Sequence, residues 1–162
     1  MHNLKIESYI KIIFLVCLVS IILAYFIEYI LGHLPCNLCL IERIPYGLGV
    51  ILIILNYIFI KNEKFMILLL ILVFAFSLII SSYHFGIEQG VFEESTVCGI
   101  KDASNIISKE DLLNQLQIKN VSCKDVTFRI LGFSLTTFNV LISLILVISL
   151  LKIFKNYEKF DK

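Results

Sequence analysis

The sequence predicts an all-α membrane protein: a four-transmembrane-helix bundle with a long extramembrane loop between helices 3 and 4. Two observations predict this class. Of the 162 residues, 59% are hydrophobic and only 17% are charged, whereas soluble domains average about 45–50% apolar and about 25% charged residues. The apolar residues are also concentrated in four long runs. We therefore expect a single integral membrane domain over residues 1–162, with the lipid bilayer as its surroundings.

The charge balance argues against a nucleic-acid partner. The 14 basic and 13 acidic residues leave a net charge of +1, and nucleic-acid binding requires clustered Lys and Arg. The mean hydropathy of +0.92, with 7 Gly and 2 Pro, equally argues against a disordered or collagen-like chain.

The first apolar run is long enough to cross a bilayer, because about 20 helical residues span a hydrocarbon core of about 30 Å. Its clearly polar members are Ser20 and Glu28. A cleaved signal peptide is the alternative, since Lys5 and Lys11 precede the run, but its length exceeds the usual apolar region of about 7–15 residues and no typical cleavage site follows. The four predicted spans are residues 12–31, 44–60, 65–83 and 130–151.

The lysines in the short flanks of the predicted spans all fall on one side, which predicts the orientation of the bundle. Positively charged flanks favour the cytoplasmic side, so both termini are expected there. The segments 32–43 and 84–128 then face outward, into an oxidising compartment. The flanking lysines are Lys5, Lys11, Lys61, Lys64, Lys152, Lys155, Lys159 and Lys162.

Four of the five cysteines fall in the outward segments, as two pairs. The Cys-x-x-Cys pair of Cys36 and Cys39 closes a very small ring, and this arrangement favours a stabilised thiolate and fast exchange. A disulfide between Cys98 and Cys123 would close a longer loop and stabilise the fold by about 3 kcal/mol. Two structural disulfides remain the alternative. The wide spacing of the second pair argues against a four-cysteine zinc site, and we predict no metal.

The fifth cysteine, Cys17, lies within the first span and is expected to be a buried apolar side chain. A short amphipathic helix is predicted after Ser108, whose spacing to Asp111 resembles a capping pattern, and it could carry one cysteine of the second pair.

Arg43 follows Cys39 by four residues, so it lies on the same helix face if the second helix has begun by Cys39. If the helix instead begins near Pro45, which favours a first turn, a loop sets that geometry. A dithiol at the lipid boundary suggests a lipid-soluble electron acceptor such as a quinone, whose developing negative charge Arg43 could stabilise. His84 is expected near the same surface, as a quinone contact or an interfacial anchor. Glu28 and Glu88 are interpreted as solvated interface residues.

Three segments carry a family resemblance: PCNLCLIER at 35–43, YHFGIEQGVF at 83–92 with Cys98 after it, and CKDVTFRILGFSLTTFN at 123–139. With the order of the cysteine pairs and the Arg after the first pair, the chain resembles the bacterial disulfide bond formation protein B family, DsbB, over nearly its whole length. Relatives often place Trp where this chain has Phe92 and Phe128, and this chain has no Trp.

The resemblance implies an enzyme of the bacterial inner membrane whose redox loops are periplasmic. Such an enzyme reoxidises a DsbA-like periplasmic thioredoxin-fold protein and passes the electrons to ubiquinone or menaquinone. By motif position, DsbA would attack the Cys98–Cys123 disulfide at Cys98, and Cys36–Cys39 would reoxidise that pair. Cys39 would be the thiolate facing the quinone, with Arg43 beside it.

Two other functions stay open at this point. A vitamin K epoxide reductase-like enzyme also combines a helical bundle, two cysteine pairs and a quinone, but there the loop pair precedes the Cys-x-x-Cys pair in sequence. A non-enzymatic membrane protein with inert structural disulfides is the other alternative.

Overall fold

The computed structural model describes residues 2–58, 63–94, 98, 122–124, 128–130 and 132–160. Each of its four long helices contains a stretch long and apolar enough to cross a membrane, which confirms the predicted four-helix class. The helices are α1 (His2–Tyr29), α2 (Asn37–Ile58), α3 (Glu63–Glu88) and α4 (Leu135–Phe160), and two short strands, β1 (Arg129–Ile130) and β2 (Phe133–Ser134), precede α4.

The bundle is held together by packing between successive helices, α1 on α2, α2 on α3 and α3 on α4. One apolar core fills the half of the bundle nearest the chain termini. The cysteine pairs lie in the other half, in a separate cluster. Cys17 is fully buried in this core, as expected for a small apolar side chain. The core residues are Ile10, Ile13, Cys17, Tyr46, Ile53, Met66, Ile67, Leu70, Phe74, Leu146, Leu150 and Ile153.

The second helix begins at Asn37, so the prediction of a start near residue 44 was wrong. Cys36 caps the helix: its carbonyl accepts the Leu40 N–H at 3.2 Å, and its sulfur accepts the Cys39 N–H at 3.4 Å. Pro45 therefore lies inside α2, where it is fully buried. A membrane helix tolerates such a proline because neighbouring groups can satisfy the backbone carbonyl that it leaves without an N–H partner.

The third helix continues to Glu88, beyond the predicted end at residue 83. It ends in a glycine cap: the Gly90 N–H donates to the Ile87 carbonyl at 3.0 Å and the Val91 N–H donates to the Gly86 carbonyl at 2.8 Å. Gly90 has a φ of 73°, a left-handed conformation that costs other residues energy. Because the helix is longer, His84 and Glu88 lie on its last turns and not in a loop.

The fourth helix begins at Leu135 and not at residue 130, because β1 and β2 pair as a short antiparallel hairpin just before it. Its strands pair Arg129 with Ser134, and Gly132 in the turn has a φ of 88°, which glycine adopts without strain. Ser134 then caps α4 by accepting the Thr137 N–H on its hydroxyl at 3.3 Å.

The first and last helices also differ from their predicted limits: α1 begins earlier and ends two residues sooner, and α4 ends later. α1 begins at His2 and ends at Tyr29, in place of 12–31, and its polar first turns are helped by a 2.8 Å ion pair between Glu7 and Lys11. α4 runs to Phe160 because neither Gly nor Pro follows residue 151. The helix predicted after Ser108 lies outside the described residues.

Candidate redox site

Four of the five cysteines lie together: Cys36, Cys98 and Cys123 belong to one cluster of buried side chains, and Cys39 packs against it. Cys98 and Cys123 form a disulfide with a Cα–Cα distance of 5.4 Å. Cys36 and Cys39 are free thiols whose sulfur atoms lie 3.0 Å apart. Cys36, Cys98 and Cys123 are only 6%, 3% and 2% exposed, so the two pairs share one environment that is almost closed to water.

Cys36 is the sulfur of this cluster that most readily ionises. It lies just before the first residue of α2, and the hydrogen bond with the Cys39 thiol lowers the pKa of Cys36 from 9.0 to about 4. A smaller contribution to the lower pKa comes from His84, and burial opposes both. Because the thiolate is the reactive form of a cysteine, Cys36 is poised for exchange at neutral pH.

His84 links the dithiol to a buried carboxylate. Its Nε2 atom lies 3.6 Å from the Cys36 sulfur, and its Nδ1 atom lies 2.7 Å from Oε1 of Glu42. The other oxygen of Glu42 accepts a hydrogen bond from the Asn139 side-chain amide at 2.7 Å. His84 and Glu42 are 1% and 7% exposed, so this carboxylate is buried but fully hydrogen-bonded, as an ionisable group at membrane depth needs to be.

A second carboxylate, Glu88, lies next to the same histidine. Its side chain is 6% exposed, so the interpretation of Glu88 as a solvated interface residue was wrong. Oε1 of Glu88 accepts a hydrogen bond from the Thr136 hydroxyl at 2.6 Å and lies 3.9 Å from Nε2 of His84. Its other oxygen has no hydrogen-bond partner within the described part of the chain.

Arg43 points toward α1 and not toward a sulfur atom. Within the described ranges its guanidinium pairs with Glu28 and lies 5.0 Å above the ring of Tyr25. Glu28 has only 18% of its side chain exposed, so it is a partly buried ion-pair partner and not the solvated residue that we expected. Within the described residues, the basic side chain in contact with the Cys36 sulfur is therefore that of His84, at 3.6 Å, and not that of Arg43.

The polar contacts continue from Glu42 toward the middle of the bundle. Tyr46 donates its hydroxyl hydrogen to the Asn139 carbonyl oxygen and lies 3.3 Å from the Ser143 hydroxyl. Ser143 in turn lies 3.0 Å from the hydroxyl of Ser77 on α3. This row of buried polar groups joins α2, α3 and α4, which fits the role of such groups in packing membrane helices.

A cavity of about 360 Å³ opens beside the dithiol, between α1, α2 and α4. Its walls are mainly aliphatic and aromatic, and a few polar groups converge on it. Cys36, Cys39, Cys123, Arg43 and His84 all line it. The structure thus brings five of the six predicted site residues to one cavity, and Cys98 is bonded to one of those five.

Sequence reasoning missed the partners that hold these groups in place, chiefly Glu42, Asn139 and Thr136. The signal available for Glu42 was its place beside Arg43 in a segment that enters the membrane, where a carboxylate needs a partner. Asn139 and Thr136 lie among the small and polar residues of the fourth span, and such a series does not by itself identify the partner of any one member. No local sequence pattern shows that Asn139 of α4 contacts Glu42 of α2, so this contact can be identified only from the structure.

Comparison with known proteins places the chain. Residues 7–153 match the family described as "Disulfide bond formation protein DsbB". A similar protein is "Uncharacterized protein RP370" of Rickettsia prowazekii (strain Madrid E), which is 32% identical over 143 residues, or 83% of this chain and 80% of that protein. No solved structure matches the chain significantly. With its four apolar helices and its clustered cysteine pairs, this chain belongs to the DsbB family of membrane proteins in disulfide bond formation.

Proposed function

We propose that this protein reoxidises a periplasmic DsbA-like dithiol protein and passes the electrons to a membrane quinone, ubiquinone or menaquinone. The observation that carries the proposal is the placement of both cysteine pairs in one buried cluster beside an apolar cavity. An electron pair that enters at one couple can then leave at the other. In this function the cavity side of the bundle faces the periplasm, and both termini face the cytoplasm of the inner membrane.

The first step is thiol–disulfide exchange at the outer pair, Cys98 and Cys123. A thiolate of the reduced partner attacks Cys98, and Cys123 leaves as a thiolate. The second thiol of the partner then attacks the mixed disulfide and displaces Cys98. The partner leaves with a disulfide of its own, and the outer pair is left as two thiols. Cys98 and Cys123 are 3% and 2% exposed, so the partner thiolate reaches Cys98 only when the side chains packed against the outer disulfide move aside.

The second step passes the electron pair inward. A thiolate of the outer pair attacks the oxidised Cys36–Cys39 bond, which leaves the outer pair as a disulfide and the inner pair as two thiols. The structure has this distribution: Cys98 and Cys123 are bonded, and Cys36 and Cys39 are free. The shared buried cluster supplies the proximity that the exchange needs.

The third step is oxidation of the inner dithiol, which releases two electrons and two protons. Cys36 and Cys39 share a hydrogen bond of 3.0 Å between their sulfurs, so the Cys36 thiolate lies beside the thiol with which it forms the disulfide, and Cys39 gives up its proton in that step. His84 lies 3.6 Å from the Cys36 sulfur and has Glu42 behind it at 2.7 Å. This pair is placed to accept a proton that the sulfur releases.

The residues around the cavity fit a quinone head group. The volume of about 360 Å³ lies in the range of small-molecule sites, and the mainly apolar walls suit a ring with a lipid tail. Arg43 and His84 line the walls as polar groups that could bind carbonyl oxygens. A bound quinone would supply the acceptor for the two electrons and two protons.

The test is oxidation of a reduced DsbA-like protein by the purified chain in detergent, with and without added quinone. We expect quinone-dependent turnover that is lost when Cys36 or Cys98 is replaced by Ala. Incubated with the partner in its disulfide form, the Cys123→Ala variant should form a mixed disulfide by attack of the Cys98 thiolate, which releases one partner thiolate. The Cys17→Ala variant should behave like the unchanged protein. A Cys123→Ala variant that captures no DsbA-like protein would instead indicate inert structural disulfides.

A further inference from the structure

Three metal-ligating atoms meet at the inner dithiol. The sulfurs of Cys36 and Cys39 and a ring nitrogen of His84 all lie within 4.8 Å of one another. Two thiolates and an imidazole are ligands that zinc and related d¹⁰ cations prefer. We infer that the reduced Cys36–Cys39 pair and His84 form a binding site for Zn²⁺.

The distances need little adjustment to close around such an ion. The two sulfurs are 3.0 Å apart, and Nε2 of His84 is 3.6 Å from the Cys36 sulfur. Zinc binds thiolate sulfur at about 2.3 Å and imidazole nitrogen at about 2.0–2.1 Å, so a tetrahedral ion separates two thiolates by about 3.8 Å. The sulfurs must therefore move apart by less than about 1 Å, which small side-chain rotations can supply.

The surroundings of His84 are a second, independent sign of a metal site. Oε1 of Glu42 lies 2.7 Å from Nδ1 of the histidine, and Asn139 donates to the other oxygen of that carboxylate. A carboxylate in this position holds the Nδ1–H and leaves the lone pair of Nε2 facing the Cys36 sulfur. Zinc-binding histidines are typically oriented by a carboxylate in this way.

The coordination would consist of three protein ligands with one position open toward the cavity, which Cys36, Cys39 and His84 all line. This site is not a four-cysteine zinc site, because Cys98 and Cys123 are bonded to each other and do not contribute ligands. Binding moves no electrons: any thiol proton still present is released as the thiolates bind the ion. An occupied site keeps both sulfurs from forming a disulfide, so the ion holds the inner pair in its reduced form.

The binding test uses the full-length protein carrying Cys98→Ser and Cys123→Ser, so that the outer sulfurs cannot compete. The reduced protein in detergent is titrated with Zn²⁺ against a chromophoric chelator. We expect one tightly bound ion per chain, and none after Cys36 and Cys39 are oxidised to a disulfide. His84→Ala should weaken binding by more than about tenfold, because a lost ligand costs more than a lost outer-shell partner. The control His33→Ala removes another histidine near the dithiol that is not one of the three ligands, and it should leave the zinc affinity unchanged.

Zinc-edge X-ray absorption of the same protein with His84 intact covers the case in which His84→Ala misfolds. We expect two sulfur ligands and an imidazole nitrogen. Absence of binding, a shell without imidazole, or undiminished affinity in a folded His84→Ala variant would each overturn the site.

The effect on the dithiol is measured without quinone or partner protein, so it does not depend on the proposed function. Dithiodipyridine, a small-molecule disulfide, oxidises the inner pair, and the release of its chromophore gives the rate. Saturation with Zn²⁺ should slow this oxidation by about tenfold or more, and a chelator should restore the rate. An unchanged rate with the ion bound would refute the block, whereas a block without quinone-linked turnover would contradict only the proposed function.

Discussion

Glu42 and Arg43 are neighbours in α2, yet they hold different helices. Glu42 lies 2.7 Å from His84 of α3, whereas Arg43 pairs with Glu28 of α1. The Glu42 carboxylate thus orients the imidazole that approaches the Cys36 sulfur, and the Arg43 guanidinium lines the cavity beside α1. Adjacent residues of a helix point about 100° apart, so this pair can reach two different helices.

The lowered pKa of Cys36 should depend on His84. Because the pKa of Cys36 is lowered to about 4, its alkylation by iodoacetamide should remain fast from neutral pH down to about pH 4 and fail below it. His84→Gln removes one cause of the lowered pKa, so the pKa should rise toward 9.0. At an assay pH between 5 and 6, the alkylation rate should then fall by about tenfold for each unit by which the pKa of Cys36 exceeds the assay pH.

Tandem mass spectrometry distinguishes Cys36 from Cys39 in that experiment, and His33→Gln is the matched control. If His84→Gln leaves the dependence of alkylation on pH unchanged, the hydrogen bond with Cys39 alone stabilises the Cys36 thiolate.

Arg43 should affect the quinone and not the partner protein. In Arg43→Ala the apparent KM for quinone should rise by about tenfold or more, which corresponds to one lost charge-assisted hydrogen bond. Disulfide exchange between the partner and Cys98 should stay near its original rate, because Arg43 contacts Glu28 and Tyr25 and not the outer disulfide.

The loss of Arg43 also leaves Glu28 partly buried without its cation, so the double variant Glu28→Gln/Arg43→Ala is the control for that effect. Both variants should show the same raised KM in steady-state assays. If the double variant recovers the original KM, the effect comes from the unpaired carboxylate and Arg43 does not bind quinone.

The parts of this molecule that the sequence predicts are those written in local patterns. The four spans follow from apolar runs, and the two cysteine pairs follow from their spacing. The start of α2 does not, because cysteine is not among the preferred cap residues and Pro45 resembles a first-turn signal. The link from Cys36 through His84 to Glu42 joins two helices, and no spacing within either helix reveals it.

The hydrogen bond between Asn139 and Glu42 should survive when the donor and the acceptor are exchanged between the two positions. In Glu42→Gln the new amide would face the amide of Asn139, and two buried donors opposed in this way should cost about 1–3 kcal/mol of unfolding free energy. Adding Asn139→Asp restores an acceptor opposite the new donor and keeps an acceptor for the Tyr46 hydroxyl.

Thermal unfolding in detergent of the two single variants and the double variant gives their coupling energy. The double variant should recover most of the lost stability. Additive losses would show that Asn139 and Glu42 do not interact directly.

The same substitution at two glycines should change stability in opposite directions. Gly90 has a φ of 73° and ends α3 just before the chain turns toward Cys98, so Gly90→Ala should cost about 1–2 kcal/mol. Gly47 lies inside α2, and a Cβ there meets no atom within 4 Å. Gly47→Ala should therefore stabilise the helix by up to about 1 kcal/mol. Both changes are measured by unfolding in detergent, and a stable Gly90→Ala variant would contradict the glycine cap that directs the chain from α3 toward the outer disulfide.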